Sequence, residues 1–109
     1  MIVITCVATP LPGKLEEAVA EARALADFAD SPGQLSYTWS QREGSDDIHL
    51  MEVYESSEAV WHHVRRIDFA PFAALVTMGE VFIYSDDIDP EIIALLRSGG
   101  QTVHHYTSV

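Results

Sequence analysis

The chain is poor in cysteine and in positive charge, and it has no long apolar run. Its single cysteine, Cys6, excludes an intrachain disulfide and the cysteine pairs of a zinc ribbon. Six Lys and Arg stand against 17 Asp and Glu, which gives a formal net charge of −11. Such a surface repels nucleic-acid phosphates and anionic lipid, so we expect neither a nucleic-acid nor a membrane partner. The longest apolar stretches have the length of a strand, far below the ~20 residues of a membrane span.

Length and composition favour one globular domain. The 109 residues are too few for two separate cores, so residues 1–109 are interpreted as a single domain with a core over 1–86 and a tail over 87–109. Apolar residues make up 48% of the chain and charged residues 21%, which is typical of a folded protein. Residues 1–4 contain no basic segment, so we predict no signal peptide and a cytoplasmic location.

Apolar periodicity and turn residues divide the chain into short strands and helices. Apolar positions spaced three and four apart over 14–30 indicate a helix that buries one stripe and ends before Pro32. Ser56 is expected to cap a second helix, Asp68 a short third helix and Asp89 a fourth. Strands are predicted at 2–8, 35–40, 48–55 and 79–85, with a last strand within 101–106.

The order β-α-β-β-α-β is that of a split βαβ, or ferredoxin-like, α+β fold with a four-stranded antiparallel sheet. Alternation along the strands predicts that Ile4 and Cys6 face the helices, while Val3 and Met51 face away. The predicted inward residues of the second strand are Leu35, Tyr37 and Trp39. Both faces are then largely apolar, which a soluble monomer avoids, so we predict a homodimer that pairs two such sheets.

Several short motifs between residues 32 and 72 follow one another in the order and spacing of a known family. Pro-Gly-x-Leu-x-Tyr at 32–37 is similar to the start of that family's second strand. Glu-Val-Tyr-Glu-Ser at 52–56, followed by Glu-Ala at 58–59, is similar to its Glu-x-Tyr-x-Ser-x-Glu-Ala signature, and His63, Phe69 and Phe72 match its next helices. The chain thus resembles the antibiotic biosynthesis monooxygenase family over about residues 1–85. The resemblance implies a ferredoxin-like dimeric α+β barrel.

The resemblance also carries expectations about activity. Some members oxidise phenolic or quinol substrates with molecular oxygen and without metal or flavin, so it implies a cofactor-independent monooxygenase with such a small aromatic substrate. The Asn, Trp and His of haem-degrading members fall at Cys6, His63 and about Ala73, and none matches, so haem degradation is not expected. The Asn and Trp of members that oxidise polycyclic phenols fall near Leu50 and Tyr54, where other residues stand. A non-catalytic binding or sensing module that uses the same pocket is therefore the alternative.

Glu52 and His63 are the candidate catalytic residues. Glu52 alternates with Leu50 and Tyr54, so it points under the helices, where an isolated carboxylate is costly unless paired or protonated. The resemblance places His63 on the covering helix, and imidazole suits general-base catalysis because its ordinary pKa lies near neutral pH. A purely structural Glu–His pair, or the acid–base pair of a cofactor-free isomerase, fits the same residues. The predicted substrate-binding residues are Tyr37, Trp39, Leu50, Tyr54, Phe69 and Phe72.

Neither pair of adjacent histidines suggests a metal site. His62 and His63 point about 100° apart on a helix. His104 and His105 point to opposite faces of a strand. No cysteine or His-x-His spacing accompanies them, so we expect no bound metal. Of the helical pair, His63 is predicted to face the core and His62 to face outward.

Overall fold

The computed structural model describes residues 1–27 and 30–109, where strands and helices follow one another largely as the sequence predicts. The helix predicted over 14–30 ends at Asp27, and residues 28 and 29 lie outside the described part of the chain. The strands are β1 (Ile2–Pro10), β2 (Gln34–Gln41), β3 (Ile48–Tyr54), β4 (Val76–Tyr84) and β5 (Val103–Tyr106). The helices are α1 (Leu15–Asp27), α2 (Ser57–Arg66), α3 (Ala70–Ala73) and α4 (Pro90–Ser98).

The strands form one sheet in the order β2-β3-β1-β4-β5. The central strand β1 is antiparallel to both β3 and β4, and β2 is antiparallel to β3. These four strands confirm the ferredoxin-like α+β fold. The prediction of a purely antiparallel four-stranded sheet is wrong in one respect, because β5 adds a fifth strand that runs parallel to β4. Parallel neighbours need a crossover connection, and α4 supplies it.

Burial alternates along the central strand with the period of two that a pleated strand imposes. Ile2, Ile4 and Cys6 are buried beneath the helices, whereas Val3 and Thr5 are half-buried on the other face. The strand register carries this alternation across the sheet. The inward row through Cys6 continues to Leu50 on β3 and, on the other side, to Val81 on β4 and Val103 on β5.

Two of the three predicted helix caps form, at Ser56 and Asp89. Ser56 Oγ accepts the backbone N–H of Ala59, which fixes the start of α2. Asp89 Oδ1 accepts the N–H of Glu91 at the start of α4, where Pro90 lacks an N–H that the first turn would leave free. The prediction that Asp68 caps α3 is wrong by one residue, because the cap position is Phe69, which makes no side-chain capping hydrogen bond. Asp68 lies just before it, and its carboxylate accepts the N–H of Ala70.

Two sequence predictions at strand ends are wrong. Leu35 is not an inward residue of β2, because its side chain is 53% exposed. A bulge between Gln34 and Ser36 shifts the pairing with β3 and breaks the alternation there, whereas Tyr37 and Trp39 lie opposite Glu52 and Leu50 on the helix side. The fourth strand starts at Val76, three residues before the predicted start at Gly79, so Gly79 lies inside the strand.

The face of the sheet away from the helices is apolar and partly open. Met51, Tyr84 and Tyr106 are each nearly half exposed, at 45%, 46% and 47%. The rings of Tyr84 and Tyr106 stack with centroids 5.0 Å apart, as do those of Phe82 and His104. We call this surface, which also contains Val3, Thr5, Val7, His49 and Val53, the open sheet face.

Candidate functional site

A cavity of about 640 Å³ lies between the sheet and the helices. Side chains of β1, β3 and β4 form its floor, including Ile4, Leu50 and Val81. Helix α2 and the segment around α3 cover it on one side, and α4 with the turn that follows covers it on the other. The volume falls within the ~300–1,000 Å³ of sites that bind drug-sized molecules.

Most of the predicted site residues line this cavity. The structure brings together Tyr37, Leu50, Glu52, Tyr54, His63 and Phe69. Trp39 and Phe72 lie behind them instead, in the core beneath Phe69. The rings of Trp39 and Phe72 are 4.8 Å apart, and Trp39 stacks on Phe69 at 6.3 Å, so this pair supports one wall of the cavity without lining it.

Four polar side chains converge at one end of the cavity. The Tyr54 hydroxyl donates a hydrogen bond of 2.5 Å to Glu52 Oε1. The same oxygen lies 3.6 Å from His63 Nε2. The Tyr37 ring packs against the His63 ring with centroids 4.9 Å apart. We call Tyr37, Glu52, Tyr54 and His63 the polar end of the cavity.

Local sequence explains how these groups meet. Glu52 and Tyr54 are two residues apart on β3, so both point to the helix side of the sheet. His63 lies on the stripe of α2 that also buries Ala59 and Val60, whereas its neighbour His62 is exposed. The prediction that His63 faces inward and His62 outward is therefore confirmed. The Ser56 cap sets the start of α2 and with it the turn on which His63 lies.

Burial moves the pKa values of Glu52 and His63 in opposite directions. Burial raises the pKa of Glu52 from its ordinary 4.5 to about 7, although the hydrogen bond from Tyr54 opposes the change. Burial lowers the pKa of His63 from 6.5 to about 4, and the positive charge of Arg66 adds to the effect. At neutral pH the imidazole is therefore uncharged, and the carboxyl group exchanges its proton readily.

The other titratable groups of the cavity stay protonated at neutral pH. Burial and the nearby Glu52 carboxylate raise the pKa of the Tyr37 and Tyr54 hydroxyls, which remain hydrogen-bond donors. Burial, with a further contribution from Glu52, raises the pKa of Cys6 to about 12. Its thiol is therefore not ionised, and a neutral thiol is a poor nucleophile.

Sequence reasoning missed the wall that closes the far side of the cavity. Ile92, Leu95 and Leu96 on α4 line it, together with the turn over 99–102. The sequence does predict the helix itself, because the helix start at Asp89 and the spacing of these apolar residues both indicate an amphipathic helix. What the sequence did not indicate is that this helix packs over the same part of the sheet as α2.

The described residues offer no obvious place for a metal ion. In residues 1–27 and 30–109, no three His, Cys, Asp or Glu side chains come together as a ligand set. His104 Nε2 instead lies 3.2 Å from a carboxylate oxygen of Glu80. Within the same ranges, no helix has both the length and the apolar character to cross a membrane.

Comparison with known proteins finds one matching family model and several similar structures. The family model for antibiotic biosynthesis monooxygenase matches residues 1–75. The structure is similar to MupZ from Pseudomonas fluorescens, with a TM-score of 0.77 and 14% identity over 99% of this chain and 91% of that one. It is also similar to PA3566 from Pseudomonas aeruginosa (TM-score 0.63, 25% identity, 75% of this chain and 87% of that one). For Rv0793 from Mycobacterium tuberculosis the TM-score is 0.67, with 18% identity over 81% of this chain and 96% of that one.

A search of the curated proteins finds no match to the sequence. The likeness to MupZ covers nearly the whole chain and therefore includes α4 and β5 in the shared fold. The family model, in turn, covers the segment from β1 to the end of α3, with Glu52 and His63 inside it. Because that match spans more than half of the 109 residues, the chain belongs to the antibiotic biosynthesis monooxygenase family.

Proposed function

We propose that this protein is a cofactor-independent monooxygenase that oxidises a small phenolic or quinol-type molecule with O₂. The observation that carries the proposal is the position of Glu52 and His63. They lie side by side, 3.6 Å apart, at the polar end of an otherwise apolar cavity. A proton-accepting pair in such a place suits a reaction that begins with the loss of a phenolic proton.

The cavity suits an uncharged aromatic substrate. Its lining is mainly apolar, and the polar groups converge at one end, as in sites that orient a flat ligand. Tyr37 presents its ring beside His63, where a substrate ring can pack against it. The net charge of −11 disfavours an anionic substrate, whereas a neutral phenol enters without that penalty.

The proton of the substrate comes to rest on Glu52. A phenol has an ordinary pKa of about 10, so transfer to a group with a pKa near 7 costs about 4 kcal/mol. Transfer to His63, with a pKa near 4, costs about 8 kcal/mol. Glu52 is thus the terminal base, and the neutral His63 beside it orients the phenol oxygen and passes the proton on.

The oxygen step then balances without an external reductant. The phenolate gives an electron to O₂, and a C–O bond forms at a ring carbon ortho to the oxygen. The resulting peroxide takes up the proton from the site. Loss of the remaining proton from that carbon breaks the O–O bond and releases water. One phenol and one O₂ thereby yield one quinone and one H₂O, so neither metal nor flavin is required as an electron source.

The proposed active unit is a homodimer. Two copies would pack through the open sheet face, where Met51, Tyr84 and Tyr106 are nearly half exposed. A soluble monomer rarely leaves a continuous apolar surface of this kind in water, and an isologous contact covers it on both copies at once. The cavity lies on the opposite side of the sheet, so each copy retains its own site.

A small-molecule binding or sensing module is the second candidate. Leu50, buried on the cavity floor, supports it, because an apolar residue stands where the resemblance to the phenol-oxidising members called for an Asn. Such a protein would bind the same phenols without turnover. Binding measured by thermal shift and oxygen uptake measured on the same compounds distinguish the two candidates.

The test is oxygen consumption with a panel of small phenols and quinols. We expect uptake by the wild-type protein, a strong loss in the Glu52→Gln and His63→Ala variants, and no change in His62→Ala. The last variant is a matched control, because His62 is the exposed neighbour of His63 on the same helix. Light scattering on each variant checks that the assembly is unchanged.

The outcomes separate the candidates. Thermal stabilisation by a phenol with no oxygen uptake by any variant would favour the binding module. Equal uptake by the wild type, Glu52→Gln and His63→Ala proteins would remove both residues from the chemistry. A loss confined to one of the two variants would identify that residue as the indispensable partner.

A further inference from the structure

The C-terminal segment completes the cavity. Helix α4 contributes Ile92, Leu95 and Leu96, and the turn over 99–102 forms the rim beside Gly79 and Glu80 on β4. This segment follows the residues that match the family model, which end at 75. The polar end of the cavity and its far wall thus come from different parts of the chain.

The wall is held in place by specific contacts at both ends of α4. At its start, Ser57 Oγ lies 2.7 Å from the N–H of Asp89 and accepts its hydrogen bond. Trp61, which lines the cavity from α2, donates its Nε1–H to Asp89 Oδ2 at 3.0 Å. At its end, Arg97 donates to the carbonyl of Val103 at the start of β5. The α4 wall is therefore fixed to α2, the helix that positions His63.

Sheet register sets the distance between the two ends of the cavity. Glu52 lies on β3, and the rim turn joins the sheet at β4, where the N–H of Val81 donates to the carbonyl of Thr102. Strand β1 lies between β3 and β4, so the two ends are separated by two strand spacings, or about 10 Å. A single phenol ring held at the polar end leaves that space empty.

We propose that the α4 wall is a specificity-determining element, and that the substrate is a phenol with an uncharged apolar arm that reaches Leu95 and the rim turn. The inference rests on the proposed function only for the phenol at the polar end. The arm is apolar because Ile92, Leu95 and Leu96 line the wall, and it is uncharged because the net charge of −11 disfavours an anionic group.

The experiment measures binding, so it does not depend on turnover. Affinities for 4-alkylphenols from 4-methylphenol to 4-hexylphenol are measured by calorimetry under nitrogen. For the wild-type protein we expect the affinity to rise by up to about fourfold per added methylene until the arm reaches the wall. A six-carbon arm ending in a hydroxyl is expected to bind several-fold more tightly than the same arm ending in a carboxylate.

Two variants of Leu95 locate the end of the arm. Leu95→Trp fills the space and is expected to lower the affinity for 4-hexylphenol at least tenfold, while the affinity for 4-methylphenol stays unchanged. Leu95→Ala only removes atoms and is expected to weaken 4-hexylphenol several-fold. Leu35→Trp is the matched control, because Leu35 is a similarly exposed leucine on β2, outside the cavity, and its substitution should change neither affinity.

The inference is wrong if affinity stays flat along the series, or if both Leu95 variants weaken the short and the long phenol equally. Tighter binding of the carboxylate-terminated arm would overturn the uncharged end. These results differ from a failure of the proposed function, which would appear as binding that rises along the series without oxygen uptake.

Discussion

Glu52 Oε1 lies 3.6 Å from His63 Nε2, although the two residues belong to different layers of the fold. Glu52 comes from the third strand and His63 from the helix that covers it. Each side chain alone would be an expensive polar group in an apolar interior. Together with the hydroxyl of Tyr54, which donates to Glu52, they form a small buried polar cluster.

Removing the Tyr54 hydroxyl should move the pH profile of the reaction. The hydrogen bond from Tyr54 stabilises the ionised Glu52, so Tyr54→Phe is expected to raise the pKa of Glu52 above about 7. If the Glu52 carboxylate is the base, half-maximal turnover should move to higher pH by about one unit. Rates of oxygen uptake between pH 5 and 9 measure the change. Tyr37→Phe is the control, since no hydrogen bond joins Tyr37 to Glu52, and an identical shift in both variants would contradict the assignment.

Stability should depend on pH in opposite directions in two variants of the cluster. Glu52, with its pKa raised from 4.5 to about 7, binds a proton more readily in the folded state. Its contribution to the free energy of unfolding therefore falls as pH rises through that range. His63, with its pKa lowered from 6.5 to about 4, loses its contribution as pH falls through that range. Between pH 5 and 6.5 the two contributions change the free energy of unfolding with pH by opposite amounts, and they cancel in the wild-type protein.

When either residue is replaced, the pH dependence of unfolding free energy that the other contributes should become measurable. From pH 6.5 to 5, Glu52→Gln is expected to lose up to about 1.4 kcal/mol of unfolding free energy per pH unit relative to wild type, and His63→Gln to gain as much. Urea unfolding at three pH values in this range measures both. Parallel curves for the three proteins would show that the cluster does not titrate as described.

The open sheet face predicts a mass of two chains. Light scattering at micromolar concentration should give twice 12.1 kDa for the wild-type protein. Met51→Lys places a charge in the middle of this face and should shift the mass towards one chain. Leu11→Lys is the control, because Leu11 is 40% exposed in the turn after β1, away from this face. A wild-type mass of one chain would contradict the dimer.

Gly33 should tolerate a side chain less well than Gly13. Both have positive φ, at 78° and 75°, so Gly→Ala costs roughly 1–2 kcal/mol of backbone strain at either position. A Cβ on Gly33 would also meet the Ala59 Cβ of α2 at 2.7 Å, whereas nothing lies within 4 Å at Gly13. Gly33→Ala should therefore lose about 1–3 kcal/mol more than Gly13→Ala in urea unfolding. Equal losses would mean that α2 moves aside without cost.

Much of the fold follows from local patterns in the sequence. The alternation of β1 and β3 fixed which of their residues face the helices, and Ser56 and Asp89 marked two helix starts through a hydrogen bond that each can make locally. Glu52 and Tyr54 could be placed on one face from their spacing alone. These features are set by neighbours within a few residues, so the chain specifies them before any tertiary contact forms.

The cavity was decided by packing between distant segments. The sequence gives no distance between Glu52 and His63, because it depends on how α2 lies across the sheet. Nor does it say that Trp39 and Phe72 pack behind Phe69, that Leu35 turns outward at a bulge, or that β5 joins β4 in parallel. Local periodicity indicates which side of a helix or strand is buried, but it does not indicate which other element packs against that side. Only the assembled layers determine that Leu95 on α4 lines the same cavity as Glu52 on β3.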